Sequence, residues 1–364
     1  MNGGPDHRRP VWVLVADDSA FMRTALTRMI ESDPCLRVSG TAQSGQEALE
    51  KIASLHPDVV TLDVEMPGLN GLKTLAKIMR DFPLPVIMVS SLTQQGAETT
   101  LDALSMGAFD YLPKQQSYAS LDIVKIQVDL IAKIKAAAES GRRRPLPRLP
   151  KPTESVLVNN TDTRSATQAA SRVVAMGTST GGPKALQEIL PLLPADLPVG
   201  VLIVQHMPKG FIGPFARRLD TICRVSVREA THDALIEPGV VYIAPAGQHI
   251  TVTRRTSSGV AICISQSPSN SLHTPSVDVM MLSVAEVYRS LAMGIIMTGM
   301  GADGVEGMRA IAREGGLTVG QDEASCSVYG MPRSCAELGL LQKVVPLPQI
   351  PQQILQATHY RHPQ

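Results

Sequence analysis

Short apolar runs alternate with segments of helical apolar spacing along the first part of the chain. Residues 11–16, 36–41, 58–62, 86–89 and 109–112 combine aliphatic, β-branched and aromatic residues in runs short enough to read as strands. Between them apolar residues recur three and four apart, and Ser44-Gly-Gln-Glu47 has the spacing of a capping box opening a helix over 48–55. Five such rounds predict a parallel, doubly wound sheet. A helical stretch over 121–139 closes the unit. The pattern then breaks into Ser140-Gly-Arg-Arg-Arg-Pro-Leu-Pro-Arg-Leu-Pro-Lys-Pro152 and a polar run to Ser171, with the proline and charge content of a linker.

Periodicity resumes at residue 172. Residues 173–176 and 199–204 read as buried parallel-type strands, and 292–297 as a third. Residues 238–245 and 249–253 are shorter and are expected to pair with each other, while helices are expected over 276–290 and 305–312. The second unit is therefore also α/β and mostly parallel. The expected division is a tail over 1–9, a domain over 10–138, a linker over 139–170, a second domain over 171–348 and a tail over 349–364.

Composition removes several classes of function. Hydrophobic residues at 44% and charged residues at 18% are a globular mixture. Lys plus Arg at 34 against Asp plus Glu at 33 gives a formal charge of +1, and aromatics are 3%, so neither a basic surface nor a base-stacking platform for nucleic acid is indicated. The five cysteines are scattered without a C-x-x-C pair, which suits reduced, buried thiols. No apolar run approaches a membrane span and the N-terminus lacks a signal-peptide core. The expectation is a soluble cytoplasmic protein, with no nucleic-acid partner and no membrane insertion.

The polar residues at strand ends form two arrays. In the first domain Asp17, Asp18, Asp63, Ser90 and Lys114 all follow the carboxyl ends of predicted strands, where open α/β sheets bind ligands. Converging carboxylates repel and call for a cation; oxygen ligands with room for water suit Mg²⁺, and a lysine beside them offers a point charge to a phosphoryl group. Singly, Asp17 or Asp18 also reads as a helix cap and Lys114 as a solvated loop charge.

In the second domain Gly177-Thr-Ser179-Thr-Gly181 fits G-x-S-x-G, a strand-to-helix turn that exposes a serine and frees N–H groups for an oxyanion. The same loop also reads as a phosphate cradle. A Walker loop fits poorly, because Lys184 falls one place late and no Ser or Thr follows it. A serine nucleophile needs a base and a carboxylate to orient it; His206 and Asp303 each follow a strand. His232, His249 and His273 are rival bases, Asp233 and Asp278 rival orienters, and Asp303 alternatively a cap of the helix over 305–312.

Ala16-Asp-Asp-Ser19, Leu62-Asp-Val-Glu-Met-Pro-Gly68 and Tyr111-Leu-Pro-Lys114 resemble the signature of response-regulator receiver domains, over roughly residues 10–135. The resemblance implies a five-stranded flavodoxin-like domain in which Asp63 accepts a phosphoryl group from a histidine kinase. It further implies that Asp17, Asp18, Asp63 and a backbone carbonyl near Glu65 hold Mg²⁺, and that Ser90 and Lys114 contact the phosphoryl group. From about residue 173 to 345, Gly177-Thr-Ser-Thr-Gly-Gly182, Gln205-His-Met-Pro208, Tyr242-Ile-Ala-Pro245, Pro275-Ser-Val-Asp278, Thr298-Gly-Met-Gly-Ala-Asp-Gly304, Asp322-Glu-Ala-Ser-Cys326 and Tyr329-Gly-Met-Pro332 resemble the catalytic domain of the chemotaxis protein-glutamate methylesterases.

That second resemblance implies Ser179 as nucleophile, His206 as general base, Asp303 as its orienter and the Met300 N–H as an oxyanion donor. It implies hydrolysis of glutamate γ-methyl esters on chemoreceptor cytoplasmic domains, deamidation of certain receptor glutamines, and no cofactor for the ester chemistry. A receiver packed over the serine site until phosphorylated is the family's mode of regulation. Thr178 and Ala302 stand where relatives often carry alanine and asparagine. Two other functions are weighed: a small-ester hydrolase of α/β-hydrolase order, which would enlist a late base such as His359 or His362, and a phosphorylation-switched adaptor without catalysis. The first would place its base in a polar tail; the second, as a DNA-binding factor, lacks a basic recognition helix after Arg172. The cluster over 142–144 is read as a solvated linker charge run.

Overall fold

The computed structural model describes residues 9–91, 93–114, 120–142, 172–255, 259–358 and 360. The expected linker lies almost wholly outside the described residues, as do most of the N-terminal tail and both late histidines, His359 and His362.

The first unit runs β1 (Val11–Ala16), α1 (Ala20–Glu31), β2 (Leu36–Ala42), α2 (Gly45–Leu55), β3 (Val59–Asp63), α3 (Gly71–Asp81), β4 (Val86–Ser91), α4 (Gln94–Met106), β5 (Asp110–Lys114) and α5 (Ser120–Arg142). Its five strands are parallel in the order β2-β1-β3-β4-β5. Ser44 caps α2 by accepting the Glu47 N–H, and Glu47 reaches back to the Gln43 N–H, one residue before the cap. β3 is buried along its whole length, as a central parallel strand must be. The helix α5 continues to Arg142, beyond the expected boundary at 138.

The second unit comprises β6 (Val173–Thr178), α6 (Gly182–Ile189), β7 (Gly200–Gln205), α7 (Ile212–Ile222), β8 (Ser226–Glu229), β9 (Val240–Ile243), β10 (His249–Arg255), β11 (Gly259–Ser265), α8 (Val277–Tyr288), β12 (Ala292–Ile296), α9 (Val305–Arg313), β13 (Leu317–Gln321), α10 (Met331–Glu337), β14 (Lys343–Val345) and α11 (Ile350–Ala357). Seven parallel strands lie in the order β14-β13-β12-β6-β7-β9-β8.

Three expectations are corrected here. Residues 238–245 and 249–253 do not pair with each other: β9 enters the large sheet between β7 and β8, and β10 forms an antiparallel hairpin with β11. The reason is burial, since Val240-Val-Tyr-Ile243 is apolar on both faces whereas β10 becomes polar toward Arg254 and Arg255. Residues 350–357, expected as tail, form α11, whose Ile350 and Ile354 are completely buried in the core. Among the cysteines, Cys326 and Cys335 are buried as expected, but Cys35 is exposed.

The two units share an apolar core. One cluster includes Leu101, Leu104, Ala108 and Tyr111 of the first and Phe211, Ile212 and Phe215 of the second. Tyr111 stacks on Phe211 with ring centroids 4.9 Å apart and planes 13° from parallel. Around this contact Ser105 donates to Gln187 Oε1 at 2.7 Å, and Arg218 pairs with Asp102. No helix among the described residues is long and apolar enough to cross a membrane.

Candidate active site

β6, β7 and β12 are adjacent in the second sheet, and the chain leaves β6 toward β7 on one side and returns to it through β12 on the other. That arrangement is a topological switch point, where loops diverge and a crevice opens at the carboxyl ends. Ser179 follows β6, His206 follows β7 and Asp303 lies in the loop after β12.

The serine loop is held from several directions. Ser179 N–H donates to Thr298 O at 3.0 Å, and Gln205 Nε2 donates to both Ser179 O and His206 O at 3.0 Å. Gln205, which the sequence singled out only as part of a motif, therefore ties the Ser179 loop to the His206 loop. Thr298 Oγ1 donates to Thr180 O at 2.9 Å and accepts the Val328 N–H at 3.0 Å, joining a third loop. The left-handed residue of the turn is Gly181, with φ +77°, so the sharp turn does not strain the serine itself. Gly299 must also lack a side chain, because a Cβ there would come within 2.9 Å of Ser179 Cβ and 2.3 Å of Met331 Sδ.

His206 Nε2 lies 2.8 Å from Asp303 Oδ2, a bond in which Nε2–H donates to the carboxylate and Nδ1 keeps the lone pair. Asp303 Oδ1 accepts Ser276 Oγ–H at 2.8 Å and Asp278 N–H at 3.0 Å, and Oδ2 also accepts Val277 N–H at 2.8 Å. Burial alone would raise its pKa, but the His206 bond and the helix N–H groups prevail and hold it down to about 2. Asp303 does not cap the helix that follows it, because that position belongs to Gly304.

The rival residues fall elsewhere or into other roles. His249 is completely buried, with Nδ1 accepting Ser276 N–H at 3.2 Å and Nε2 facing Pro268 O at 3.2 Å. His232 accepts Ile264 N–H and lies near Asp233 on the surface. His273 stacks face to face on His206, with centroids 4.2 Å apart. Asp278 accepts Gly307 N–H at 2.8 Å.

Ser179, His206, His273 and Met300 line a cavity of about 350 Å³ whose opposite wall is Asp110, Tyr111, Pro113, Asp129 and Lys133 of the first unit. Ser179 and His206 share it without a hydrogen bond between them, a gap common before substrate draws such pairs together. Met300 lines the cavity, and among the described residues its N–H has no acceptor. The wall from the first unit is itself charged: Lys133 Nζ donates to Tyr111 O at 2.7 Å and pairs with Asp129 at 3.1 Å and Asp110 at 3.4 Å.

The second array lies at the carboxyl end of the first sheet. Asp17, Asp18 and Asp63 each offer a carboxylate oxygen, all within 4.8 Å of one another. Lys114 Nζ is 2.8 Å from Asp63 Oδ2 and 3.0 Å from Asp17 Oδ2. Lys114 thus sets one ammonium against the two buried oxygens of a three-carboxylate group. Burial, aided by neighbouring Asp17, pushes the Asp63 pKa up to about 6 against the pull of Lys114. This donor set, oxygen only and over-charged, fits a hard divalent cation. The Glu65 side chain is exposed and its N–H donates to Asp63 Oδ1 at 3.2 Å. Ser90 is fully buried and its hydroxyl donates to Gly96 O at 3.2 Å, in α4, instead of facing the carboxylates.

The CheB methylesterase family matches residues 174–354 and the response regulator receiver domain family matches residues 13–124. A protein-glutamate methylesterase/protein-glutamine glutaminase of Nitratidesulfovibrio vulgaris is 46% identical over 350 residues, covering 92% of this chain and 95% of that one. The chain belongs to the protein-glutamate methylesterase/glutaminase family. A Pyrococcus horikoshii protein of the same description is 43% identical over 96% of this chain and 94% of its own length, so the likeness spans both units of the methylesterase and the region between them. The crystal structure of the Thermotoga maritima CheB methylesterase catalytic domain matches 51% of this chain and 97% of its own, at 36% identity and a TM-score of 0.50. The methylesterase thus has a receiver domain ahead of a mostly parallel α/β catalytic domain.

Proposed function

We propose that Ser179, His206 and Asp303 carry out hydrolysis of glutamate γ-methyl esters on chemoreceptor cytoplasmic domains, under control of phosphorylation at Asp63. The observation that carries this reading is the His206–Asp303 bond at 2.8 Å beside Ser179 in a cavity walled by the receiver. Ser179 Oγ attacks the ester carbonyl while His206 Nδ1 takes its proton, and Asp303 stabilises the resulting imidazolium. The Met300 N–H is a donor for the oxyanion. His206 returns the proton to the departing methoxide, releasing methanol, and water then frees the glutamate by the reverse sequence. A glutamine carboxamide follows the same course and releases ammonia.

Asp17, Asp18, Asp63 and a carbonyl near Glu65 are the groups that would hold Mg²⁺. The cation supplies charge neutralisation for a phosphoryl group arriving from a histidine kinase. Lys114 shares that role from the end of β5, and Ser90 becomes a phosphoryl contact only on leaving Gly96. β5 also supports the regulatory reading, since Lys114 lies three residues from Tyr111, which stacks on Phe211. The receiver closes one wall of the serine cavity, so displacing it opens the path for a receptor helix. The division into a receiver domain that ends with α5 and a catalytic domain that includes α11, action in the cytoplasm, and independence of the ester chemistry from any cofactor belong to the same proposal.

The direct test is methanol release from methylated chemoreceptor fragments. Release by the wild type and its loss in Ser179→Ala are expected; release undiminished in Ser179→Ala contradicts the assignment.

A further inference from the structure

The bond from His206 to Asp303 fixes one atom of the imidazole, not its plane. Rotation about the outer side-chain torsion of histidine is broad, so a second contact must decide where the in-plane lone pair of Nδ1 points. That contact is His273. Its ring lies 4.2 Å from the His206 ring, centroid to centroid, with the planes only 17° apart. Among the described residues its ring nitrogens make no hydrogen bond, so the face, not a polar atom, is what it presents.

The segment carrying His273 is anchored on both sides. Thr274 O accepts Gly247 N–H at 3.2 Å. Ser276 N–H is held by His249 Nδ1 at 3.2 Å, while the other nitrogen of His249 grips Pro268 O. Ser276 Oγ binds Asp303 Oδ1 at 2.8 Å, so the stacked ring and the orienting carboxylate are tied to one frame. Burial and the neighbouring His206 hold the His273 pKa down, against Asp303 and the receiver's Asp129. A neutral ring can remain stacked when His206 becomes charged, whereas a second imidazolium would be driven away.

We propose that His273 is a positioning residue of the esterase, its ring face setting the plane of His206 so that Nδ1 stays directed toward Ser179 through proton transfer. The inference rests on His206 being the general base. Steady-state methanol release by the full-length, phosphodonor-activated protein tests it with His273→Ala, His273→Gln and His273→Phe. Loss of the ring is expected to lower kcat about ten- to a hundredfold with KM within about twofold, because misdirection affects the transition state more than ground-state binding. His273→Phe keeps a flat ring without a titratable nitrogen and is expected to restore kcat to within about threefold of wild type. A wild-type kcat in His273→Gln, or a Phe variant as impaired as Gln, overturns the proposal. If His273→Ala fails to fold by circular dichroism, the Gln and Phe pair decides alone. His206→Gln separates the two readings: full activity there sinks the assignment of the base, whatever His273 does.

Discussion

Asp278 and Asp303 cap one another's helices: Asp278 Oδ1 accepts Gly307 N–H of α9 at 2.8 Å, while Asp303, just before α9, accepts Val277 and Asp278 N–H of α8 at 2.8 and 3.0 Å. The carboxylate bonded to His206 is therefore also a helix-terminal anion, held by backbone donors that cannot swing away.

Asp303→Asn is expected to reduce kcat by about a thousandfold or more, from loss of imidazole orientation and charge stabilisation. It also carries a stability signature. The folded pKa of about 2 lies below the ordinary aspartate value of 3.8, so the contribution is present above pH 3.8 and lost as pH falls through 2. Its size is about 2 kcal/mol at neutral pH, and denaturant melts of wild type and variant should converge between pH 4 and pH 2.

Gly299→Ala should damage catalysis without removing any catalytic group. The new methyl meets Ser179 Cβ at 2.9 Å and Met331 Sδ at 2.3 Å, and the loop must give way. A fall in kcat of about ten- to a hundredfold is expected, read in steady-state kinetics with KM little changed. A wild-type kcat would show that the serine tolerates displacement.

The domain contact yields a contrast between two variants. Tyr111→Ala removes a buried ring stacked on Phe211 and should raise unphosphorylated activity about threefold to tenfold, since such stacks contribute about 0.5–1.5 kcal/mol beyond their buried area. Asp102→Ala removes a half-exposed partner of Arg218 and should change activity by less than about threefold. Methanol release without phosphodonor checks both.

The sequence placed both arrays because residues at the carboxyl ends of parallel strands converge in any open α/β sheet. Spacing alone does not separate His206, His232, His249 and His273 as partners of Ser179; the motif resemblance singles out His206, and the contacts that set the four apart come only with folding. His249 is spent on Ser276 and Pro268, and His273 on the His206 ring. The pairing of β9 with β7 and β8 was missed because neighbouring short strands in sequence favour a hairpin, and the choice lay in burial on both faces. The domain contact left no local signal. Tyr111 within an apolar run reads as core, and no motif singles out Lys133, which is buried beside Asp110 and lines the cavity.

In the proposed function, chemistry at Asp63 governs chemistry at Ser179. The decisive measurement is methanol release from methylated chemoreceptor fragments by wild type and Asp63→Ala, each with and without a small phosphodonor and Mg²⁺. Wild-type release is expected to rise with phosphodonor, while Asp63→Ala retains its basal rate and does not respond. An equal rise in Asp63→Ala, or no rise in a wild type whose Asp63 is shown to be phosphorylated, would contradict it.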